Sequence, residues 1–233
     1  MKSTSLLSAL SGTALLLSSA FSSAAPLAPN GYIEPLIGTS PFSFGSLIDT
    51  TTGSFSVRDV QNSNAIVATG SVTSEVWRAG DNTLTFTWQV VNDISSSASI
   101  HALRLGGFGD ETFDVGYIDD SNAPGEVPAM TAYRFDGFSA GSFNFQFNEY
   151  NEEFEPILGI GSGETSALVF ADTDYVDYEQ SYRSDLSSGQ FQLGDFGANF
   201  APVPSPVPLP AAAWLFVSAL GGLVAAKKRA AAR

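Results

Sequence analysis

The chain of 233 residues contains no cysteine. A disulfide framework, a thiolate metal centre and a cysteine nucleophile are therefore excluded. Lysine is absent between Lys2 and Lys227, and histidine occurs once, at His101. The 24 acidic residues all lie between Glu34 and Asp195, where five arginines are the only basic residues, so this middle region carries a net charge of −19. Nucleic acid requires cationic neutralisation of its phosphates, and this surface repels it. Such a surface keeps a domain soluble and attracts divalent cations diffusely. Phosphate-binding glycine motifs, zinc-ligand spacings and a Gly-x-Ser-x-Gly nucleophile elbow are also missing.

Periodicity of two dominates from Gly53 onward. Leu84, Phe86, Trp88 and Val90 alternate with Thr83, Thr85, Thr87 and Gln89, the pattern of a half-buried strand. Phe143, Phe145 and Phe147 alternate in the same way with Ser142, Asn144 and Gln146. Further strands are expected at 54–60, 66–77, 100–105, 131–135, 167–170 and 190–196, separated by Gly, Pro, Asn, Asp and Ser clusters. No window between the two ends has the period of an amphipathic helix. Many short strands with polar turns predict an all-β, antiparallel β-sandwich or jelly-roll-like ectodomain. Most of the chain's 18 phenylalanines fall in it and suit the space between sheets, although some could instead form an aromatic platform for sugars.

Candidate chemistry rests on carboxylates. Asp110, Glu111, Asp114, Asp119 and Asp120 flank a short apolar piece; Asn148, Glu149, Glu152, Glu153 and Glu155 form a second group. Asp172, Asp174, Asp177 and Glu179 form a third after a strand end. Calcium takes six to eight oxygen ligands from a flexible loop, and the third group is the candidate Ca²⁺ set, with a solvated loop as the simpler alternative. Two carboxylates across a cleft would suit a glycosidase, but the sequence gives no means of pairing them. His101 lies within an expected strand and reads as structural, and Gly161-Ser162-Gly163 reads as a turn.

The two ends are of another kind. Lys2, the apolar run from Leu6 to Phe21 and the small residues Ser22-Ser23-Ala24-Ala25 make up a Sec-type signal peptide, cleaved between Ala24 and Ala25. At the other end, Pro208 to Ala226 are 19 residues without charge, which as a helix would span about 28 Å, close to the hydrocarbon thickness. Trp214 stands near the outer end, and Lys227, Lys228 and Arg229 form a stop-transfer cluster that orients the chain with its domain outside. Pro202, Pro204, Pro206, Pro208 and Pro210 favour an extended, protease-accessible segment ahead of the span.

Val207-Pro208-Leu209-Pro210-Ala211, followed by Trp214-Leu215-Phe216, a small-residue run with Gly221-Gly222 and a basic end, resembles a PEP-CTERM sorting tail of the VPLPA subclass. Leu209 stands where the better-known form has glutamate. The resemblance implies recognition and removal of the tail by an exosortase, after Sec export through the inner membrane of a Gram-negative bacterium. It further implies a cell-surface or extracellular destination associated with exopolysaccharide or biofilm.

The expected organisation is a signal peptide over 1–24 and an ectodomain over 25–199 with a lead-in at 25–52. A Pro-rich linker at 200–206 and a tail at 207–233 with a transmembrane helix at 211–226 complete it. The leading expectation is a non-enzymatic surface or matrix protein with no required cofactor. A carbohydrate- or Ca²⁺-dependent adhesin and a secreted glycan-active enzyme are the alternatives. Replacing Lys227, Lys228 and Arg229 by alanine removes the stop-transfer charge, and we expect loss of membrane retention and of tail processing, read by fractionation and intact mass.

Overall fold

The computed structural model describes residues 24–34, 38–39, 44–109, 111–118, 126–134, 141–150, 156–181, 184–189, 192–196 and 199–203. The signal run, the Val207–Ala211 motif, the span and the Lys227-Lys228-Arg229 cluster lie outside them. Every regular element among the described residues is a strand.

Three short strands come first among the described residues: β1 (Ala25–Leu27), β2 (Tyr32–Ile33) and β3 (Gly38–Thr39). Two strands of 14 residues follow, β4 (Ser46–Asp59) and β5 (Ala65–Arg78), then β6 (Leu84–Asn92), β7 (Ala102–Leu105) and β8 (Phe113–Ile118). The next are β9 (Glu126–Val127), β10 (Thr131–Tyr133), β11 (Phe143–Gln146), β12 (Asn148–Tyr150) and β13 (Pro156–Leu158). The last six are β14 (Thr165–Ser166), β15 (Val169–Thr173), β16 (Tyr178–Ser181), β17 (Ser184–Ser187), β18 (Gln192–Asp195) and β19 (Asn199–Pro202).

One hydrogen-bonded sheet runs β1-β8-β15-β6-β5-β4-β18-β17-β7-β11-β10-β2 and carries β3, β9 and β14 at its sides. Pairing is antiparallel apart from two short parallel contacts, β3 with β8 and β9 with β14. The first and last strands of this path, β1 and β2, are neighbours in the chain and touch. The sheet is thus nearly closed, like the wall of a barrel. The hairpin β12-β13 and the ribbon β16-β19 are separate small sheets.

The core forms where the two halves of the path face each other. Phe86 and Trp88 of β6 meet Phe143 and Phe145 of β11, with Phe108 between them. Ring centroids lie 4.8 Å apart for Phe108–Phe143 and 6.0 Å for Trp88–Phe143, both edge-to-face, the arrangement that the aromatic quadrupole favours. Phe143, Phe145 and Phe147 are fully buried, so the alternating phenylalanines are core and not a sugar platform. The period-two rule holds along β5, where Val72, Ser74 and Val76 point inward and Ser71, Thr73 and Glu75 outward. At Gly70 a Cβ would stand 2.0 Å from the Val91 carbonyl oxygen and 2.6 Å from the Phe55 ring. Only glycine allows that close approach.

Asn199 is fully buried in this apolar interior. Its Oδ1 accepts from the Trp88 indole N–H at 2.6 Å and from Ser74 Oγ at 3.3 Å, and its Nδ2 donates to Ser184 Oγ at 2.7 Å. The amide therefore ties β19 to β5, β6 and β17. Residues 200–202, placed in the linker by composition, belong to β19, paired with β16. The lead-in at 25–52 likewise supplies β1, β2, β3 and the start of β4. The early part of β4, Ser46 to Thr52, is mostly exposed, so it lacks the apolar alternation that marks a strand in sequence.

Trp88→Phe keeps the ring but leaves the Asn199 carbonyl oxygen short of its best donor. A buried group left unpaired costs about 1–3 kcal/mol, and we expect the urea midpoint to fall by that equivalent with the m-value unchanged.

Candidate functional site

On the outer face of the sheet, β8 and β15 set Asp114 directly opposite Asp172, and Thr85 of β6 flanks Asp172 on its other side. The neighbours Phe113, Val115, Ala171 and Thr173 are buried, so the strand alternation turns both carboxylates outward. The β5–β6 turn adds Asp81, and the residue after β15 adds Asp174. These four aspartates, with Thr83, Thr112, Phe113 and Thr173, line a cleft of about 230 Å³.

Local chemistry holds each wall in place. Asp81 Oδ1 accepts from the Thr83 amide at 3.1 Å and from Thr83 Oγ1 at 2.7 Å, an Asx turn supported by Asn82 at a φ of 80°. Thr85 Oγ1 donates to Asp172 Oδ1 at 2.6 Å, and Thr173 Oγ1 donates to the Leu84 carbonyl at 2.7 Å. No Arg, Lys or His among the described residues forms an ion pair with any of the four carboxylates.

The electrostatics follow from this crowding. Partial loss of hydration raises the Asp114 carboxyl above its ordinary range, and the Asp172 and Asp174 charges add to the rise. For Asp172 burial again dominates upward; the Thr85 hydrogen bond pulls it down, while Asp81 and Asp174 push it up. Asp81 moves the other way, held low by Thr83. The cleft is thus a solvent-open pocket of oxygen atoms in which two facing carboxyls hold their protons more tightly than usual. Such a pocket can accept hydrogen bonds from hydroxyl-bearing ligands.

The Ca²⁺ candidates do not stay together. Asp172 and Asp174 line the cleft, but Asp177 and Glu179 do not. The Asp177 carbonyl accepts from the Val203 amide at 3.0 Å, and Glu179 pairs with Ala201 in the β16-β19 ribbon. Among the described residues, no three His, Asp or Glu side chains are grouped to hold a metal ion. Of the first acidic group, Asp114 reaches the cleft, and the Glu111 carbonyl accepts from Arg134 Nη1 at 2.6 Å. Asp110, Asp119, Asp120, Glu152, Glu153 and Glu155 lie outside the described residues. Sequence reading missed Asp81; its signal is Asp81-Asn82-Thr83, a turn tripeptide joining two long strands.

His101 is half-buried, and burial lowers its pKa. Its amide donates to the Ser187 carbonyl at 2.7 Å and its carbonyl accepts from Phe147 at 2.8 Å. A Cβ at Gly159 would come within 2.9 Å of the imidazole. These are structural contacts. Gly161-Ser162-Gly163 is a turn, with the Glu164 amide donating to the Gly161 carbonyl at 3.0 Å and Ser162 Oγ to the Ile94 carbonyl at 2.7 Å. Ala25, at the expected cleavage point, opens β1 opposite Val115. No family model, curated protein or solved structure matches the chain.

A carboxyl whose pKa is raised by folding contributes stability that is fully present below its unfolded value and lost as pH rises through the folded one. For Asp114 and Asp172 that window opens at the ordinary aspartate value and extends upward. Facing like charges across a strand pair cost about 0.2–1 kcal/mol, reduced here by solvent at the cleft mouth. We expect Asp172→Asn to raise the thermal midpoint at pH 7, by about 1–3 °C, and to flatten the stability gain on acidification. Melting curves across that pH range check both.

Proposed function

We propose that the protein is an exported, non-enzymatic surface or extracellular-matrix component whose β-domain is delivered by the Sec machinery and released when an exosortase removes its tail. The observation that carries this reading is the pairing of the first and last strands among the described residues. The first opens at Ala25, the residue after the expected cleavage at Ala24, and the last closes at Pro202, ahead of Val207. Both boundary strands are paired, β1 with β8 and β19 with β16. The apolar signal run and the uncharged span therefore flank a β-domain whose end strands are hydrogen-bonded into it. Loss of both would leave those pairings intact.

The partners that follow are the Sec machinery, an exosortase and the inner membrane before processing, with exopolysaccharide as the surrounding matrix. The acidic surface of the middle region excludes nucleic acid. Association with polysaccharide rests on the resemblance of the tail, and the hydroxyl-accepting cleft is chemically compatible with it.

One observation favours a second reading, a glycan-active enzyme. Asp114 and Asp172 face each other in a cleft, and paired carboxylates on either side of a glycosidic bond are what such hydrolysis needs. Both carboxyls are shifted in the same direction, whereas an acid and a nucleophile need environments that push their pKa values apart. The non-enzymatic reading is therefore preferred.

Two measurements test the proposal. Intact mass of the exported protein should show loss of the segment from about Ala211 onward in cells with exosortase and its retention in cells without. An intact tail in both backgrounds would make this a single-pass anchored protein. The purified domain should release no reducing ends from the host's exopolysaccharide. Release that disappears in both Asp114→Asn and Asp172→Asn would establish the glycan-active reading instead.

A further inference from the structure

We propose that residues 25–33 are a detachable clasp through which two copies of this chain exchange strands. This segment supplies both ends of the sheet path. β1 pairs Ala25, Pro26 and Leu27 with Val115, Asp114 and Phe113 of β8. β2 pairs Tyr32 and Ile33 with Tyr133 and Ala132 of β10. Between them a tight turn, closed by the Gly31 amide on the Ala28 carbonyl at 2.8 Å, sends the chain from one edge to the other. A few residues thus bridge the opening of an otherwise continuous wall.

The grip of the clasp is small and cannot grow. Leu27 is its one fully buried side chain, Ile33 is half-buried, and Tyr32 is 60% exposed. Upstream of Ala25 a longer β1 would have to run along Gly116 and Tyr117 of β8. That edge is taken: β3 pairs Gly38 with Tyr117 and Thr39 with Ile118. Whatever precedes Ala25, β1 is held to its short length by a competitor on the same edge. The clasp is also topologically remote, since its partners on β8 and β10 lie far along the chain, and such pairings close against a large loop entropy.

When the clasp leaves, two edges open at once, Phe113–Val115 on β8 and Ala132–Tyr133 on β10, beside the site that Leu27 fills. Open edges template pairing with another strand. The segment that fits both edges and the leucine site is the same segment of another copy, because it remakes every contact that was lost. Exchange then depends only on concentration, and reciprocal exchange gives a closed two-fold dimer. Pro26 within β1 lacks an N–H, which leaves the clasp's own free edge poor in donors and disfavours further edge-to-edge pairing there.

Because the chain has no cysteine, engineered thiols report the exchange without ambiguity. Tyr32→Cys and Tyr133→Cys occupy partnered positions on β2 and β10. In the double variant of the exported protein at low concentration, oxidation should give a monomer with an internal cross-link. An equimolar mixture of the two single variants, incubated at increasing concentration and then oxidised, should give an interchain product joining positions 32 and 133. We expect its fraction to rise with protein concentration over a roughly tenfold range, as identified by peptide mass. Melting curves of the reduced single variants verify that each is folded. If the double variant locks internally but the mixture gives no 32-to-133 product at any concentration, strand exchange is overturned. Failure of the folded double variant to lock overturns the clasp itself.

Discussion

The interior of this domain is built mainly from rings and aliphatic chains, and of the asparagines buried within it, Asn199 is the one whose amide ties four strands together. Asn199 accepts from Trp88 and Ser74 and donates to Ser184. A polar group sealed in such a core without partners is costly, so β19 has one acceptable position. The consequence reaches outward. The Phe200 amide donates to Ser74 at 3.3 Å, Phe200 packs edge-to-face on Tyr178 at 5.6 Å, and the β16-β19 ribbon is placed by these contacts. Tyr178 in turn donates to Asp49 at 3.1 Å, which ties the ribbon to β4.

A buried charged group stands behind the cleft. Arg134, 3% exposed, donates to the carbonyls of Glu111 and Gly109 and lies over the Phe113 ring at 5.1 Å. Phe113 is the apolar floor of the cleft and the residue before Asp114. Among the described residues Arg134 forms no ion pair with the four carboxylates of the cleft. Arg104 forms a forked pair with Asp185 across β7 and β17. The cleft lined by four aspartates is anionic, and burial together with the neighbouring carboxylates raises the proton affinity of Asp114 and Asp172.

The same economy describes the ends of the domain. Sheet edges are liabilities where main-chain groups lie open, and this chain meets the liability with its own first residues. β1 and β3 share the edge of β8, and β2 covers β10. This domain, without disulfides, is thereby closed by a few backbone pairings and one leucine.

Much was legible in the chain itself. The all-β class, the alternation of β11, the buried phenylalanines and the turn at Ser162 follow from local period and local turn chemistry, which act over a few residues; β6 departs from its expected half-burial, because Thr85 and Thr87 are buried as well. The exclusions set by absent cysteine and lysine follow from composition alone. What lay beyond reach is whatever depends on strands far apart in sequence. The start of β4 has no apolar face because it extends past the core, so no pattern marks it. β19 looks like a linker because it runs into the proline-rich stretch that follows Pro202 and its partners are β16 and a buried asparagine network. Asp114 and Asp172 are 58 positions apart, and only the register of β8 on β15 brings them face to face, with Asp81 delivered from a third element. Sequence period determines which way a side chain points from its own strand; the pairing of distant strands, set by core packing and buried polar satisfaction, decides what it points toward.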